Sequence, residues 1–124
     1  MKILVVEDSN TLRYVMTKML KEFGYKDFHA VESAEEALSL FKENQYDLML
    51  LDWNLPKMSG FDLLKQLRAD EKYNDLNIVM VTTMHERKKI LKALQVGLQG
   101  YILKPLDAKI ILEKLKEIES KLVN

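Results

Sequence analysis

The sequence predicts an α/β fold with a five-stranded parallel sheet and five helices. Two patterns lead to this prediction. Short runs of consecutive apolar residues alternate along the chain with longer segments in which apolar residues recur at helical spacing. Consecutive apolar residues are typical of strands that are covered on both faces, and strict alternation of strands with helices favours right-handed crossovers between parallel strands. The length of 124 residues, without an obvious linker or repeat, predicts one domain over residues 1–124.

The first half of the chain contains three predicted strands separated by two helices. The strands are expected near residues 2–7 and 27–31 and in the apolar run that ends at Asp52. Gly24 ends the first helix, as glycine commonly does, and the pattern from Ser33 to Glu36 is a capping box that begins the second. The apolar stripe of the first helix consists of Leu12, Val15, Met16, Met19, Leu20 and Phe23.

The second half contains three predicted helices and two predicted strands. The third helix is expected over about residues 60–68, followed by a polar loop over residues 69–77. The residues from Thr83 to Glu86 form a second capping-box pattern, which predicts that the fourth helix begins there, and Gly97 ends that helix. The last helix is indicated by apolar residues at helical spacing, namely Ile111, Leu115, Ile118 and Leu122.

Polar side chains follow four of the predicted strands at the points where the apolar runs end. The first run is followed by Glu7 and Asp8, the third by Asp52, the fourth by Thr82 and the fifth by Lys104. The carboxyl ends of parallel strands meet at one edge of the sheet, where open α/β sheets bind their ligands. Any one of these residues alone would be interpreted as a turn, cap or solvated residue. Their joint occurrence predicts a site for a divalent cation and a phosphoryl group.

Composition and charge exclude several classes of function. The chain carries 19 basic and 19 acidic side chains, so its net charge gives no indication of binding to nucleic acid or to an anionic membrane. It has no cysteine, which excludes disulfides and thiolate chemistry. The absence of a long apolar segment and of a signal-peptide pattern predicts a cytoplasmic protein. Acids rather than a glycine-rich loop follow the first strand, which excludes a Rossmann-type dinucleotide site.

Over essentially its whole length the chain resembles the receiver domain of two-component response regulators, and within that family the single-domain chemotaxis members. The resemblance implies a flavodoxin-like strand order, 2-1-3-4-5, whose switch point lies between the first and third strands. That order places the acids after these two strands side by side. The matching motifs are Glu7-Asp8, the run DWNLPKMSG from Asp52 to Gly60, Thr82, Tyr101 and Lys104-Pro105.

The resemblance implies a phosphoryl acceptor and a magnesium site. Asp52 would accept the phosphoryl group from a histidine kinase. Asp8, Asp52 and the backbone carbonyl of Asn54 would bind Mg²⁺ directly, and Glu7 would act through a water. All of these ligands are oxygens, as Mg²⁺ prefers. The family more often carries aspartate at the position of Glu7.

The resemblance also implies roles for the residues that follow the last two strands. Lys104 would neutralise charge on the phosphoryl group, and the Lys104-Pro105 bond is expected to be cis. Thr82 would hydrogen-bond a phosphoryl oxygen and couple phosphorylation to Tyr101, the switch aromatic. Thr83 and Met84 depart from the usual small and polar residues of the family, which leaves the lifetime of the phosphoryl group open.

Three other side chains carry simpler expectations. Trp53 is expected to be a partly exposed aromatic beside the acidic site. His29 and His85 have no acid or nucleophile at meaningful spacing and are expected at the surface.

The resemblance further implies a protein partner. The protein would be a monomer, and its output face would consist of the fourth helix, fifth strand and fifth helix. A flagellar motor-switch protein is the natural target. The chain itself would promote its own phosphorylation and dephosphorylation without being a classical enzyme. The basic residues of the fourth helix are Arg87, Lys88, Lys89 and Lys92.

Three alternatives remain open from the sequence. The chain could be a phosphorelay intermediate or the receiver half of a truncated transcriptional regulator. A phosphatase of the haloacid-dehalogenase type also forms an aspartyl phosphate with Mg²⁺. Those enzymes carry Asp-x-Asp after their first strand, whereas Asp52 follows the third strand and Asn54 cannot serve as a general acid.

Overall fold

The computed structural model describes residues 1–122 and contains the predicted parallel sheet. The predicted domain extends to residue 124, so its last two residues lie outside the described part of the chain. The strands are β1 (Ile3–Val6), β2 (Phe28–Val31), β3 (Leu48–Leu51), β4 (Asn77–Thr82) and β5 (Gly100–Leu103). All neighbouring strands are parallel and the order is β2-β1-β3-β4-β5, which confirms the order implied by the resemblance.

Five α-helices within residues 1–122 cover the two faces of the sheet. They are α1 (Asn10–Glu22), α2 (Ala34–Phe41), α3 (Gly60–Arg68), α4 (Arg87–Gly97) and α5 (Ala108–Leu122). Buried residues of α1 and α5 pack on one face, and those of α2, α3 and α4 pack on the other.

The side chains of each central strand alternate between these two cores. In β1, Leu4 and Val6 face the α2–α3–α4 core, whereas Ile3 and Val5 face the α1–α5 core. None of these four side chains is more than 1% exposed. Both faces of the strand therefore require apolar residues, which explains the consecutive apolar runs in the sequence.

Serine side chains begin the first three helices. The hydroxyl oxygens of Ser9, Ser33 and Ser59 accept hydrogen bonds from backbone N–H groups in the first turns of α1, α2 and α3. The serine bond of the first predicted capping box is thus confirmed. The Glu36 carboxylate accepts its hydrogen bond from the backbone N–H of Glu32, at 3.3 Å, and not from that of Ser33 as in a capping box.

The fourth helix begins later than predicted, and the second capping box is wrong. The helix begins at Arg87, and Glu86 before it makes no side-chain hydrogen bond to the helix. The Thr83 hydroxyl accepts instead from the side-chain amide of Asn54, at 3.4 Å. The local sequence pattern therefore does not form a helix cap here, and the Thr83 side chain contacts the loop between β3 and α3 instead. The predicted end of α4 at Gly97 is confirmed.

The segment predicted as a loop over residues 69–77 contains a short 3₁₀ helix, Glu71–Tyr73, and its last residue, Asn77, begins β4. The carboxylate of Asp70 accepts from the backbone N–H of Lys72 and so begins the 3₁₀ helix. Among the helices of residues 1–122, none combines the length and the apolar character that a membrane span requires.

Trp53 is buried, so the expectation of a partly exposed indole is wrong. Its side chain is 9% exposed, and its ring stacks on Phe61 with centroids 4.9 Å apart and planes 4° from parallel. The indole therefore belongs to the α2–α3–α4 core. His29 and His85 are exposed, as expected. The Nδ1 atom of His29 lies 2.6 Å from the Tyr46 hydroxyl.

Candidate functional site

Strand register brings the predicted acidic residues to one level at the carboxyl edge of the sheet. Val6 of β1 lies opposite Leu51 of β3, so Glu7 and Asp52 follow equivalent positions on neighbouring strands. The backbone N–H of Asp52 continues the ladder by donating to the Val6 carbonyl, at 3.0 Å. Lys104, which follows β5, is held in the same way, because its backbone N–H donates to the carbonyl of Thr82, the last residue of β4, at 2.9 Å.

Three carboxylates meet at this edge. One oxygen from each of Glu7, Asp8 and Asp52 can be chosen so that all three lie within 4.8 Å of one another. Glu7 and Asp52 are buried, with 2% and 5% of their surface exposed, whereas Asp8 is open to solvent. An all-oxygen set with one face open to water fits a hard divalent cation such as Mg²⁺, which keeps some of its waters.

Lys104 lies between two of these carboxylates. Its Nζ atom is 2.6 Å from Oε1 of Glu7 and 3.1 Å from Oδ2 of Asp52, and its side chain is 9% exposed. Burial acts to lower the pKa of Lys104, but the hydrogen bonds to the two carboxylates outweigh burial and raise it. The pKa of Glu7 is also raised, because desolvation of the buried carboxylate exceeds the effect of the Lys104 bond. The Lys104-Pro105 bond is cis.

Glu7 has both carboxylate oxygens in use. Oε1 binds Lys104, and Oε2 accepts from the backbone N–H of Ser9 at 3.0 Å. The Glu7 carbonyl accepts from Nη1 of Arg13 at 2.8 Å. The longer side chain of glutamate thus reaches across the site to the lysine, a contact that no local pattern in the sequence predicts.

The loop after β3 fixes the other oxygen of the candidate acceptor. The backbone N–H of Asn54 donates to Oδ1 of Asp52 at 3.1 Å, while Lys104 holds Oδ2. The side-chain amide of Asn54 donates to the Thr83 hydroxyl. The Asp52 carboxylate is therefore held at both oxygens.

Gly60 supports the site in a way that sequence reasoning missed. A Cβ atom added there would lie 2.0 Å from the Asp52 carbonyl oxygen. The N–H of Gly60 also donates to the Trp53 carbonyl at 2.8 Å. The start of α3 thus packs directly on the main chain of the candidate acceptor. A glycine in the first turn of a helix, where it is a poor helix former, is the signal that could have identified this role.

The main chain of Met84 joins the two predicted switch residues. The hydroxyl of Thr82, which is fully buried, accepts from the N–H of Met84 at 3.3 Å. The Tyr101 hydroxyl donates to the carbonyl of Met84 at 2.6 Å. Burial, together with the negative charge of Asp52, raises the pKa of Tyr101 to about 12. Tyr101 is thus turned toward the loop between β4 and α4.

Comparison with known proteins agrees with this geometry. Residues 3–116 match the family described as Response regulator receiver domain. The chain is 38% identical over 122 residues to chemotaxis protein CheY-3 of Vibrio cholerae, covering 98% of this chain and 94% of that protein. It is 36% identical over 118 residues to chemotaxis protein CheY of Pseudomonas aeruginosa, covering 95% of each.

Solved structures show the same similarity. Chemotaxis protein CheY4 of Vibrio cholerae superposes with a TM-score of 0.86 at 29% identity, covering 94% of this chain and 97% of that chain. A CheY-like receiver domain protein from Methanospirillum hungatei superposes with a TM-score of 0.86 at 28% identity, covering 96% and 94%.

Proposed function

This chain belongs to the response regulator receiver family of two-component signalling proteins, and we propose that it is a phosphorylation switch for chemotaxis. The observation that carries the proposal is the Asp52 carboxylate, which is buried, held at both oxygens and flanked by Glu7 and Asp8. The receiver unit is taken to span residues 1–124 and to act in the cytoplasm, where a histidine kinase presents its phosphoryl group.

Asp52 is the proposed nucleophile. One of its carboxylate oxygens attacks the phosphorus of a phosphohistidine, so that the new O–P bond forms as the N–P bond breaks and the imidazole leaves. A carboxylate is a weak nucleophile, so fixed position and neutralised charge must supply the rate. The Asn54 N–H and the Lys104 ammonium orient the carboxylate. During the transfer, the ammonium can also bind an oxygen of the phosphoryl group and neutralise its charge. The protein thereby promotes its own phosphorylation.

The acidic residues are the proposed magnesium site. Asp8, Asp52 and the Asn54 carbonyl would bind Mg²⁺ directly, and Glu7 would act through a water. When bound, the ion supplies positive charge that neutralises the carboxylates and the incoming phosphoryl oxygens. Because Lys104 and Ser9 occupy both oxygens of Glu7, its main contribution is negative charge beside the site.

The proposed output signal passes through Met84, whose main chain binds both Thr82 and Tyr101. A phosphoryl oxygen on Asp52 would attract the Thr82 hydroxyl, and the Met84 main chain that binds this hydroxyl also holds Tyr101. The proposed output face consists of α4, β5 and α5, and the protein, as a monomer, would bind a motor-switch protein through this face. The apolar side chains of these three elements that are 42–49% exposed are Leu91, Leu94, Leu103, Ile110 and Leu122.

Phosphorylation is tested directly with acetyl phosphate and Mg²⁺. We expect one acid-stable, base-labile phosphoryl group per chain, carried by Asp52. Asp52→Asn should accept none, and Asp75→Asn, which changes an exposed acid, should be labelled like the unchanged protein. Equal labelling of Asp52→Asn would overturn the acceptor assignment.

The chemotaxis role requires a separate experiment, because it rests on the similarity to proteins named for chemotaxis. Deleting the gene in the source organism should abolish directed swimming, and reintroducing the Asp52→Asn form should not restore it. Normal chemotaxis after deletion would reject this role while leaving the phosphorylation chemistry intact.

A further inference from the structure

Arg68 connects three separate segments with one side chain. It is the last residue of α3, and all three of its guanidinium nitrogens donate hydrogen bonds at 2.8–3.0 Å. Nε donates to the carbonyl of Gly97, the last residue of α4. Nη1 donates to the carbonyl of Tyr73. Nη2 donates to the carbonyl of Leu76 and to the side-chain oxygen of Gln99.

The acceptors of Arg68 are all neutral oxygens, which suits a positioning role. A guanidinium is charged at every accessible pH, although burial lowers the pKa of Arg68. Its charge lies at the carboxyl end of α4, where the helix carries partial negative charge. The oxygen of Gln99 that Arg68 binds also accepts from the backbone N–H of Ile78 at 2.7 Å. The carboxyl end of α4 is therefore tied to the entry of β4.

Glycine at the end of α4 favours this contact. Gly97 has a φ angle of +133°, which disfavours any other residue. A Cβ atom there would also lie 3.1 Å from Nε of Arg68. Both the backbone conformation and the space around it therefore suit the close approach of the guanidinium to the end of α4.

The opposite end of α4 is held much less firmly. Glu86 provides no side-chain cap, and Ala93 is the one fully buried residue of this helix. The segment leading into the helix is tied by the bond from Tyr101 to the Met84 carbonyl, which belongs to the proposed switch. Leu91 and Leu94 are 49% and 42% exposed. The two ends of α4 therefore differ in what fixes them.

We propose that Arg68 is the positioning residue that anchors the carboxyl end of α4, so that the amino end is the part that moves when the protein switches. The inference deepens the proposed function and its switching part rests on that function, because α4 belongs to the output face. The anchor itself is a property of the unphosphorylated protein. Its test can therefore fail independently of the phosphorylation chemistry.

Hydrogen exchange of backbone amides measures the anchor in the unphosphorylated protein. We expect the amides of residues 94–97 to exchange more slowly than those of residues 90–92, the reverse of ordinary fraying at a helix end. In Arg68→Lys, which keeps the charge but replaces the three guanidinium nitrogens by one ammonium nitrogen, exchange at residues 94–97 should accelerate by about tenfold relative to the core strands. Arg87→Lys, an exposed arginine on the same helix, is the matched control and should change neither rate.

Several outcomes would overturn the anchor. One is faster exchange at residues 94–97 than at residues 90–92 in the unchanged protein, a result that requires no variant to fold. Another is an Arg68→Lys effect spread evenly over the whole chain, which would indicate a general loss of stability. Equal exchange at residues 94–97 in the unchanged protein and in Arg68→Lys would also exclude the proposal.

A second measurement follows the switching part, with beryllofluoride and Mg²⁺ as the phosphoryl mimic. Exchange rates should change at residues 84–92 and stay constant at residues 94–97. Changes at residues 94–97 of similar size would overturn the inference. If no amide of the protein responds to beryllofluoride, the proposed function fails and α4 is not a switching element. The exchange rates of the unphosphorylated protein and of Arg68→Lys still test whether Arg68 anchors the end of α4.

Discussion

The ammonium of Lys104 lies 2.6 Å from Oε1 of Glu7, and these two side chains are 9% and 2% exposed. The same ammonium lies 3.1 Å from Asp52. With Asp8, the edge of the sheet carries three carboxylates and one ammonium, so the ionised groups have a net charge of −2. A divalent cation balances that charge, whereas Lys104 alone balances one third of the acids. The ion pair is thus one part of the charge neutralisation of the site.

Removing the lysine should destabilise the protein chiefly when Mg²⁺ is absent. Lys104→Met leaves the buried carboxylates of Glu7 and Asp52 without their cation, at an expected cost of about 3 kcal/mol in the free energy of unfolding. Mg²⁺ should recover part of that loss, because an ion that binds the proposed site in the folded protein alone stabilises the fold. Urea unfolding in EDTA and in Mg²⁺ measures both quantities.

The matched control for this prediction is a lysine in an exposed ion pair. Lys89 lies 3.2 Å from Glu86, and both side chains are more than half exposed. Lys89→Met should change the free energy of unfolding by no more than about 0.5 kcal/mol, with or without Mg²⁺. If the two variants lose equal stability in EDTA, the buried pair has no special role.

The contact between Gly60 and the Asp52 carbonyl gives a second prediction. Gly60→Ala must displace main chain, because its Cβ would lie 2.0 Å from that oxygen. We expect a loss of at least about 2 kcal/mol in stability and a decrease of about tenfold in the rate of labelling by acetyl phosphate.

Gly24→Ala separates this steric effect from the general cost of replacing glycine. Gly24 has a φ angle of +92° and open space around its Cβ position. The substitution should cost about 1 kcal/mol through backbone strain and leave the labelling rate unchanged. Equal labelling rates for the two alanine variants would show that Gly60 does not position Asp52.

The placement of the acidic site could be predicted because it depends on the ends of the strands. Consecutive apolar residues located β1 and β3, and their parallel pairing makes Glu7 and Asp52 neighbours regardless of side-chain detail. The contact between Glu7 and Lys104 could not be predicted in the same way. It depends on the reach of two long side chains across 97 residues of sequence, which no local pattern records.

The two wrong predictions have a related cause. The residues from Thr83 to Glu86 satisfy a capping-box pattern, but the helix begins only at Arg87, and the Thr83 hydroxyl accepts from the side chain of Asn54. Trp53 lies beside an open acidic site in sequence, yet its ring packs on Phe61 inside the core. In both cases the side chain makes a tertiary contact with another loop or helix that the local sequence pattern does not predict.

Tyr101 gives a prediction for alkaline pH. Its pKa of about 12 lies above the ordinary value of 10.0, so the folded state keeps the phenol protonated when the unfolded chain has lost the proton. The contribution of the protonated Tyr101 phenol to the free energy of unfolding is therefore complete below pH 10 and is lost as pH rises from 10 to 12. Tyr25 has the same raised pKa, caused by burial and its bond to Glu119, and should add to the loss.

Denaturant unfolding at pH values between 9 and about 11.5 measures this dependence. Tyr101→Phe should make the decrease above pH 10 shallower, because one phenol with a raised pKa is removed while those of Tyr25 and Tyr46 remain. It should also cost about 1 kcal/mol at pH 8, where the bond to the Met84 carbonyl is lost. Tyr14→Phe removes a phenol that is 66% exposed and serves as the control. Identical slopes for Tyr101→Phe and the unchanged protein would contradict the assignment.

The hydrogen bond between Asn54 and Thr83 should set how long the phosphoryl group lasts. The amide of Asn54 is next to the acceptor, because its own N–H donates to Asp52, and a free amide there can orient the water that attacks the phosphorus. At 3.4 Å the Thr83 hydroxyl holds that amide by a weak bond, worth less than about 1 kcal/mol. Thr83→Ala releases the amide and should shorten the phosphoryl lifetime about two- to threefold.

Thr83→Ser keeps the hydroxyl and should leave the lifetime unchanged. The measurement is the loss of labelled phosphate after acetyl phosphate is removed, and an unchanged or longer lifetime in Thr83→Ala would mean that the Asn54 amide does not limit attack by water.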